Sequence, residues 1–412
     1  MTEMTEKKTV KKYLLISYYW PPSGGSGVQR WLKFVKYLPS QEWQPIVYTP
    51  LNPEYPSQDP SLVKEIPEHV TVLKKRIWEP YMLYKLFRGM SGKEKINTGF
   101  ISEDRPPALR EKVSVWMRGN FFIPDARCFW IRPSVRFLYN YLKSNPVDLI
   151  ISTGPPHSMH LIAKALKKRT GLPWMADFRD PWTKIDFYSD LRLTRLADRK
   201  HHQLERKVLQ QADQVLVVSP SMGEDFSRIE GVEPRILPNG YDPEDFHYDK
   251  SFDADRFRIL HLGSMNRDRN HPLFWKALAQ LRKENPEFRK YMEIRLVGKV
   301  DYSVEEQLKI HGLEECVKKI AYLPHDQIYK ELRLASVLYL PINDTPNARL
   351  TLTGKVFEYM AAERPILSTG PTDGDAACLL RDTKTGIALD FQDLEGMKET
   401  LINLFERFTK GN

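Results

Sequence analysis

Short apolar runs alternate along this chain with segments whose apolar residues recur at helical spacing. The first run, residues 13–19, predicts a buried strand, and the segment after the loop at 21–27 predicts a helix over 28–38. Alternation of this kind is typical of a parallel sheet that helices cover on both faces. Further strands are predicted at residues 45–49, 70–73, 147–152, 172–177 and 214–219.

A second series of the same kind follows residues 236–246, whose Pro, Gly and Asp content is typical of a crossover between domains. We expect an α/β chain of two tandem Rossmann-like, doubly wound domains, residues 1–250 and 251–412, with a ligand cleft between the carboxyl ends of their sheets. One place for the closing helix is back against the N-terminal domain. The second series is predicted as strands at 258–263, 293–298, 317–322, 336–341 and 364–369 and a closing helix at 393–408.

Residues 78–132 break this alternation and predict an insertion in the first domain, rich in aromatic residues among Lys and Arg. Because Tyr and Trp favour the membrane interface and Lys and Arg favour anionic headgroups, one interpretation is contact with a membrane surface. The alternative is a lid whose aromatic residues form a core. The aromatic residues are Trp78, Tyr81, Tyr84, Phe87, Trp116, Phe121, Phe122, Phe129 and Trp130.

The chain is longer, at 412 residues, than one hydrophobic core usually supports, which agrees with two domains. It carries 62 Lys and Arg against 53 Asp and Glu, and the net charge of +9 favours anionic partners such as nucleotides, an anionic membrane surface or nucleic acid. The cations are spread among acids instead of forming one stripe, so a nucleic-acid or anionic-glycan binding protein is the weaker alternative.

Three widely separated cysteines, Cys128, Cys316 and Cys378, argue against a disulfide framework and against a cysteine-based zinc site. The first residues are polar where a signal peptide needs an apolar stretch, and no run approaches about 18 apolar residues. We therefore expect a cytoplasmic protein, which can still lie on the inner face of the cell membrane.

The segment 353–367 places a carboxylate inside a helix that starts at a glycine. Unpaired N–H groups at Gly354 and Lys355, with the positive end of the helix dipole, can receive phosphate oxygens. Glu358 lies roughly 6 Å further along the axis at about 1.5 Å rise per residue, where its carboxylate can accept hydrogen bonds from ribose hydroxyls. The segment predicts a nucleoside diphosphate site; the alternative is a short amphipathic helix whose apolar residues belong to the core.

Two arginines, Arg267 and Arg269, follow the strand that ends at Gly263 and would face the helix start at residue 354. A guanidinium group suits a diphosphate because its planar fork makes paired hydrogen bonds. Lys299 and Tyr322 end the next two strands and would border a nucleobase. The alternative for each arginine is an ordinary surface position.

The loop at 23–27 follows the first strand, and Gly25 and Gly27 open the first helix. Such a loop can cradle a phosphate or let a substrate approach the backbone closely. Arg30 stands where the third glycine of a dinucleotide fingerprint belongs, so that fingerprint is poor. A plain tight turn is the alternative.

A second polar group is predicted at the carboxyl ends of the strands at 147–152 and 172–177, which is the correct edge of the sheet for a site. It comprises His157 after one strand and Asp177, Arg179 and Asp180 after the next. The alternatives are an Asp–Arg ion pair with Pro–Trp packing and a histidine that only begins a helix. The pair at 201–202 is predicted to be a surface feature of a charged helix.

Motifs of other chemistries are missing from the sequence. There is no Gly-x-x-x-x-Gly-Lys-Ser/Thr loop and no His-Glu-x-x-His pair, so kinase-type phosphate loops and zinc hydrolysis have no support. There is also no Asp-x-Asp strand end to suggest a metal-held diphosphate, which leaves the helix dipole and arginine to balance that charge. We expect no metal and no cofactor.

Several of these segments together resemble one family, the retaining glycosyltransferases of the family 4 type, which have the two-domain GT-B fold. The resemblance spans nearly the whole chain and is strongest over residues 354–367. The segments that carry it are GKVFEYMAAERPIL at 354–367, PNGYD at 238–242, ADFRDPW at 176–182 and PPSGGSG at 21–27.

The resemblance implies a role for each matching residue. Glu358 would hold the donor ribose, Gly354 and Lys355 would lie at the diphosphate, and Arg267 or Arg269 would stabilise the leaving nucleoside diphosphate. The remaining implied roles are contact with the sugar and phosphate for Gly25 and Gly27, and the acceptor side for His157 and Asp180. Such enzymes are similar in being metal-independent and retaining.

One position departs from the family pattern. Many relatives carry two glutamates, the first of which contacts the transferred sugar, but Leu350 stands eight positions before Glu358. A leucine side chain cannot accept a hydrogen bond. Arg349, Thr351, Thr353 or backbone amides are the candidates for that role.

The expected function is transfer of a sugar from a nucleotide-sugar to a glycan or lipid-linked acceptor, as in surface polysaccharide or glycolipid biosynthesis. A second enzymatic alternative keeps the fold but is an epimerase or a phosphorylase. The donor base, the sugar, the acceptor and the linkage are left open.

Overall fold

The computed structural model describes residues 10–80, 109–246, 255–321 and 323–411, and these divide into two units. The N-terminal unit runs to Val218 and includes Met222–Leu237. The C-terminal unit comprises Ser219–Ser221 and the chain from Pro238 onward. The expected boundary near residue 250 falls among residues 247–254, which lie outside the described ranges, as do Tyr81, Tyr84 and Phe87 of the predicted insertion.

The N-terminal unit contains one parallel sheet of seven strands. These are β1 (Lys11–Ile16), β2 (Trp43–Pro50), β3 (Thr71–Lys75), β4 (Leu149–Gly154), β5 (Trp174–Phe178), β6 (Gln214–Val217) and β7 (Pro234–Ile236). Their order is β3-β2-β1-β4-β5-β6-β7, which reverses direction between β1 and β4 as in doubly wound folds. The described helices are α1 (Ser26–Tyr37), α2 (Leu109–Phe121), α3 (Ile131–Ser144), α4 (Ser158–Thr170), α5 (Arg195–Gln211) and α6 (Pro220–Ser227).

Local chemistry explains where two of these helices begin. Gly25 precedes α1 with a φ of 93°, a backbone conformation that side chains disfavour, so glycine is needed for the turn from β1 into α1. Thr194 precedes α5, and its side chain accepts a hydrogen bond from the Ala197 N–H group.

The C-terminal unit contains a parallel sheet of six strands in the order β10-β9-β8-β11-β12-β13. They are β8 (Phe257–Leu262), β9 (Met292–Val297), β10 (Val317–Ile320), β11 (Val337–Pro341), β12 (Ile366–Thr369) and β13 (Gly386–Leu389). All six residues of the central strand β8 are buried, as expected for a strand that helices cover on both faces. The helices are α7 (Pro272–Glu284), α8 (Pro286–Tyr291), α9 (Tyr302–Ile310), α10 (His325–Leu334), α11 (Lys355–Ala361), α12 (Asp375–Thr383) and α13 (Leu394–Thr409).

The closing helix α13 buries its apolar stripe within the C-terminal unit. Met397, Leu401 and Phe405 belong to the same hydrophobic cluster as Phe257 of β8 and Phe288 of α8. The stripe is therefore used inside its own unit. The reason is that the adjacent face of this sheet is itself apolar and needs a helix to cover it. Contact of this helix with the N-terminal domain stays a prediction.

The predicted α/β class with two doubly wound sheets is confirmed. The two strands that the sequence did not predict, β7 and β13, are short and lie at sheet edges, where only partial burial leaves no continuous apolar run. Within the described part of the chain, no helix combines the length and hydropathy needed to cross a bilayer.

Candidate functional site

The carboxyl edge of the C-terminal sheet is built around two glycines with positive φ. Gly263 follows β8 with a φ of 94°, and Gly298 follows β9 with a φ of 123°. A Cβ atom on Gly298 would lie 2.7 Å from the Gly263 carbonyl oxygen, so the two loops pass too closely for a side chain. A Cβ atom on Gly263 would lie 2.9 Å from Lys355 Nζ. Because residue 263 has no side chain, the Lys355 ammonium group can occupy the space beside it.

Helix α11 is fixed against this edge by a buried tyrosine. The Tyr359 hydroxyl accepts a hydrogen bond of 2.9 Å from the Leu262 N–H group at the end of β8. Tyr359 is fully buried, and Val356 packs beside it in the same core cluster. The amphipathic alternative is thus correct about the apolar face of this helix, which anchors the segment that carries the polar residues. The nucleoside diphosphate site stays a prediction. Since α11 has only seven residues, its dipole is weak support for an anion, and side-chain cations matter more.

Two cations converge beside α11. Arg269 is held in place because its Nε atom donates to Asn343 Oδ1 at 2.8 Å and its Nη1 atom donates to the Ser264 carbonyl at 2.7 Å. Burial and the positive charge of Arg269 lower the pKa of Lys355 well below its usual value. Two like charges on a half-buried edge oppose each other, so an anion between them would relieve the repulsion.

The Glu358 carboxylate lies one helical turn after Lys355. Its side chain is 22% exposed, and Oε1 lies 3.6 Å from His325 Nε2. That distance exceeds a hydrogen bond, so the carboxylate retains accepting capacity toward solvent. The His325 Nε2 atom is also 3.1 Å from the Tyr329 hydroxyl. Glu358 is therefore placed as a hydrogen-bond acceptor next to the cation pair.

Arg267 and Lys299 are placed differently from Arg269. The Arg267 side chain is 58% exposed, and its Nε atom lies 3.3 Å from Asp268 Oδ1. Lys299 is exposed as well, and Tyr322 lies outside the described residues. Of the two arginines predicted as alternatives, Arg269 is the one that is locked toward Lys355, while Arg267 extends into solvent.

The position of the missing glutamate offers no acidic side chain. Leu350 ends a 3-10 turn, Ala348–Leu350, and Arg349 forms an exposed ion pair of 3.1 Å with Asp373. The Thr353 Oγ1 atom is buried and has no hydrogen-bond partner among the described residues. Of the candidates for the sugar-reading role, Thr353 therefore has the strongest case.

One histidine behind the cations was not predicted from the sequence. His261 is buried in β8, and its Nδ1 atom lies 3.1 Å from the Tyr339 carbonyl oxygen. Burial, with Lys355 and Arg269, lowers the pKa of His261 well below its usual value, so the imidazole is neutral. The available signal was a histidine near the carboxyl end of a strand segment, FRILHL, whose one other polar residue is Arg258.

Asp177 of the N-terminal unit is an internal residue and not a ligand contact. Its buried carboxylate accepts hydrogen bonds from Arg30 Nη2 at 2.9 Å, Trp31 Nε1 at 2.7 Å and Thr153 Oγ1 at 2.8 Å. These bonds tie β5 to α1 and β4. From the sequence, Asp177 was predicted to be part of the acceptor-side polar group with Arg179. In the structure it positions other elements, and its ion-pair partner is Arg30 instead of the neighbouring Arg179.

Arg179 passes close to residue 27. A Cβ atom on Gly27 would lie 2.6 Å from Arg179 Nη1, and the Nη2 atom of the same guanidinium donates to the Pro155 carbonyl. With Arg179 in this position, there is no room for a side chain at residue 27. Gly25 is required by its positive φ, as noted for α1.

Two histidines after β4 are buried and neutral. His157 is 5% exposed, and its ring stacks on Trp182 with centroids 4.6 Å apart. Burial lowers the pKa of His157 well below its usual value, and neither ring nitrogen has a hydrogen-bond partner among the described residues. His160 is fully buried with its Nδ1 atom 2.8 Å from Ser152 Oγ, and burial lowers its pKa to about 3. His160 is therefore a core residue, whereas His157 keeps free hydrogen-bonding capacity.

His157 and Trp182 border a pocket of about 260 Å³ that lies within the N-terminal unit. The exposed Asp180 carboxylate also lines it, together with Asp186 and the aromatic Phe187. Aromatic faces beside carboxylates and an imidazole suit a ligand with both apolar ring faces and hydroxyl groups.

The loop that carries Trp182 is held by α5. The Glu205 carboxylate accepts from the Trp182 and Thr183 N–H groups at 3.0 and 3.1 Å, and His201 Nδ1 accepts from Trp182 Nε1 at 3.0 Å. His201 is 3% exposed, so the expectation that this histidine is a surface residue is wrong, although His202 is exposed. The signal was its spacing: residues 197, 201, 205 and 208 form the inward stripe of α5.

Two doubly wound α/β units, each with polar residues at the carboxyl edge of its parallel sheet, are the architecture of the GT-B fold found in glycosyltransferases. Residues 256–407 match the family model of glycosyl transferases group 1, and residues 83–245 match that of glycosyltransferase family 4. The chain belongs to the family 4-like, group 1 glycosyltransferases. No curated protein matches it significantly.

Solved structures of this fold are similar over almost the whole chain. A sucrose-phosphate synthase from Thermosynechococcus elongatus is 16% identical with a TM-score of 0.64, over 96% of this chain and 90% of that one. A mutant of S. aureus TarM, in complex with fondaparinux, alpha-GlcNAc-glycerol and UDP, is 11% identical with a TM-score of 0.59, over 96% and 93%. WaaG, a glycosyltransferase involved in lipopolysaccharide biosynthesis, is 14% identical with a TM-score of 0.58, over 96% and 90%. At these identities the likeness concerns the fold.

Proposed function

We propose that this chain transfers a sugar from a nucleotide-sugar donor to a glycan or lipid-linked acceptor with retention of configuration. The observation that carries the proposal is the cation pair Lys355 and Arg269 beside the accepting carboxylate of Glu358. A nucleoside diphosphate has the matching chemistry, because its phosphates are anionic and its ribose offers two hydroxyl donors. The TarM structure with UDP supports this choice of ligand by analogy.

In the proposed reaction, Lys355 and Arg269 stabilise the leaving group. In the transfer, the bond from the anomeric carbon to the diphosphate oxygen breaks, and a bond from that carbon to the acceptor hydroxyl oxygen forms. The hydroxyl proton goes to the departing phosphate oxygen on the same face of the sugar, which retains the configuration. Negative charge grows on the diphosphate during this step, where Lys355 and Arg269 would stabilise it. We propose that these two side chains supply the positive charge without a metal.

We propose that the pocket beside His157 and Trp182 receives the acceptor. His157 is neutral and has free ring nitrogens, so it can donate to or accept from a sugar hydroxyl. Asp180 can accept from a second hydroxyl. The interdomain cleft, in which donor and acceptor would meet, stays a prediction.

The proposed setting is the cytoplasm, at the inner face of the cell membrane, in surface polysaccharide or glycolipid biosynthesis. The WaaG structure, from lipopolysaccharide biosynthesis, supports this setting by analogy alone.

The test begins with binding of nucleoside diphosphates to the wild type and to Glu358→Gln, with the exposed Glu399→Gln as the matched control. Thermal-shift measurements with UDP, GDP, ADP and dTDP identify the base, since a ligand specific to the folded state raises the Tm. Glutamine keeps one neutral accepting oxygen and replaces the other oxygen with a donor. Loss of one charged hydrogen bond to ribose predicts roughly 10- to 100-fold weaker binding for Glu358→Gln. Unchanged affinity and turnover would remove Glu358 from the site.

Product analysis with the matching nucleotide-sugar then tests the reaction. Transfer to an added glycan or lipid-linked acceptor, with the anomeric configuration of the donor, supports the proposal. Release of sugar 1-phosphate or a free epimer would show a phosphorylase or an epimerase instead. Turnover that requires a divalent cation would contradict the role given to Lys355 and Arg269.

A further inference from the structure

Helix α2 is amphipathic in the unusual sense that its large apolar side chains face solvent. Val113, Trp116, Met117 and Phe121 are 39%, 37%, 41% and 67% exposed. Counted from Val113, the other three are three, four and eight positions further on, which places all four along one side of the helix. The opposite side carries small residues, and Ser114, Val115 and Gly119 are the buried ones.

The buried side of α2 is needed for packing beside the pocket. A Cβ atom on Gly119 would lie 2.7 Å from Leu193 Cδ2, so the helix sits directly on the segment that precedes α5. Arg118 and Gly119, with Phe122 just after the helix, line the pocket that holds His157. One helix therefore forms a wall of the pocket with one face and presents an apolar face outward with the other.

The exposed aromatic surface continues across the loop after α2. Phe122 lies 5.9 Å from Phe129, and Phe129 lies 4.9 Å from Trp78, measured between ring centroids. Phe129 is 49% exposed and Trp78 is 56% exposed. Large exposed apolar patches mark interaction sites because single exposed residues are normal but contiguous ones are not.

Positive charge borders the same surface at the start of α5. Asn120 Oδ1 of α2 accepts a hydrogen bond of 2.7 Å from the Thr194 N–H group, which joins the two helices. Leu196, two residues further on, is 78% exposed. The exposed cations here are Lys112, Arg192, Arg195, Arg199 and Lys200.

Two acidic residues among those that the structure describes lie near the same surface. They are Asp190 and Asp198, both partly buried. Asp198 accepts from the Tyr188 hydroxyl at 2.9 Å and pairs with His202 at 3.3 Å. Exposed aromatic and aliphatic side chains with a cationic border are the chemistry of a surface that rests on anionic lipid.

We propose that the exposed face of α2 and the start of α5 dock on an anionic lipid bilayer and present the adjoining pocket to the head group of a lipid-linked acceptor. The part about the acceptor rests on the proposed function; the membrane contact does not. Trp116, Met117 and Phe121 enter the interface, while Arg192, Arg195 and Arg199 contact lipid phosphates. Arg118, Gly119 and Phe122 line the pocket, so the docked face adjoins it.

The experiment is co-sedimentation of the full chain with vesicles of phosphatidylcholine, with and without phosphatidylglycerol. We expect binding to the anionic vesicles that weakens with added salt, because screening reduces the attraction of the cations. The double variant Trp116→Ser, Phe121→Ser is expected to bind at least roughly tenfold more weakly, since two aromatic side chains no longer enter the interface. Ile310→Ser is the matched control, because Ile310 is 69% exposed in the C-terminal unit and should not affect binding.

A second variant and a second readout keep the test decisive. Arg195→Gln, Arg199→Gln should weaken binding to anionic vesicles and leave the α2 face intact. Absence of vesicle binding by the wild type, or equal binding by the aromatic variant, overturns the proposal. Self-association in analytical ultracentrifugation that the aromatic variant abolishes, without vesicle binding, overturns it in favour of a protein interface.

Thermal shift with the nucleoside diphosphates separates this proposal from the donor site. Both double variants should keep the ligand-induced rise in Tm of the wild type, because the changes lie outside the C-terminal unit. Failure of vesicle binding with normal nucleotide binding refutes only the membrane surface. Normal vesicle binding without any nucleotide response refutes only the proposed function.

Discussion

The substitution Lys355→Met should have opposite effects on the free protein and on the nucleotide complex. In the free protein, the Lys355 ammonium is partly buried next to Arg269, and burial with this repulsion lowers its pKa. Methionine has a similar length and carries no charge, so it removes a repulsion and the cost of desolvating an ion. With a diphosphate bound, the same change removes a favourable interaction.

The magnitudes follow from the half-buried position. Solvent screens part of the repulsion between Lys355 and Arg269, so Lys355→Met should raise the free energy of unfolding of the free protein by about 1–2 kcal/mol. For a unit of this size class, each kcal/mol shifts the Tm by about 2–4 °C, so the expected rise is about 2–8 °C. Loss of a charged hydrogen bond to phosphate costs about 1.5–3 kcal/mol, or roughly 10- to 100-fold in affinity. Because the pKa of Lys355 is lowered in the folded protein, the gain in stability from Lys355→Met is present below the ordinary lysine pKa of about 10.4. This gain falls as the pH rises toward that value.

Thermal denaturation with and without the preferred nucleoside diphosphate checks both effects in one experiment. Lys276→Met is the control, because Lys276 is exposed on α7 and should change neither Tm nor ligand response. The variant should melt higher than the wild type without ligand and lose most of the ligand-induced rise. A lower Tm without ligand, or an unchanged ligand response, would refute the placement of Lys355 as a strained diphosphate contact.

Two further predictions concern buried polar groups. Asp177→Asn should lower the free energy of unfolding by about 3–5 kcal/mol in urea denaturation, because it removes the carboxylate charge that pairs with the buried Arg30 guanidinium; the exposed Asp382→Asn should not, and equal effects would contradict the assignment. Stability should also fall as pH decreases below about 6.5, since the unfolded chain protonates histidines that stay neutral when folded. Burial lowers the pKa of His160 to about 3 and of His271 to about 4, so the loss of stability continues as the pH falls toward those values. Equal urea midpoints at about pH 7 and about pH 5 would contradict this prediction.

Much of the fold follows from the periodicity of the chain. The long central strands, such as β8, are continuous apolar runs because helices cover both faces, and such runs are visible without a structure. The edge strands β7 and β13 are short and partly exposed, and only hydrogen bonding to a neighbouring strand defines them. Sequence periodicity reports burial, so elements that are not fully buried escape it.

The candidate site also has one part that the sequence predicts and one part that depends on tertiary contacts. The residue types at strand ends and at the start of α11 predict an anion site, because local order along the chain places Gly354, Lys355 and Glu358 on one helical turn. Which of Arg267 and Arg269 faces that turn depends on Asn343, which is distant in sequence and holds Arg269 by a hydrogen bond.

By itself, the sequence determined the class of fold, the two domains and the segments that carry polar chemistry, since each rests on short-range spacing. Only the tertiary structure decided which polar residues are internal supports and which line a pocket. Asp177 and His201 are buried by partners far along the chain, Arg30 and Trp182, while His157 keeps free nitrogens at a pocket. The physical reason is that burial and hydrogen-bond partnership are properties of contacts between distant segments, and no local pattern encodes them.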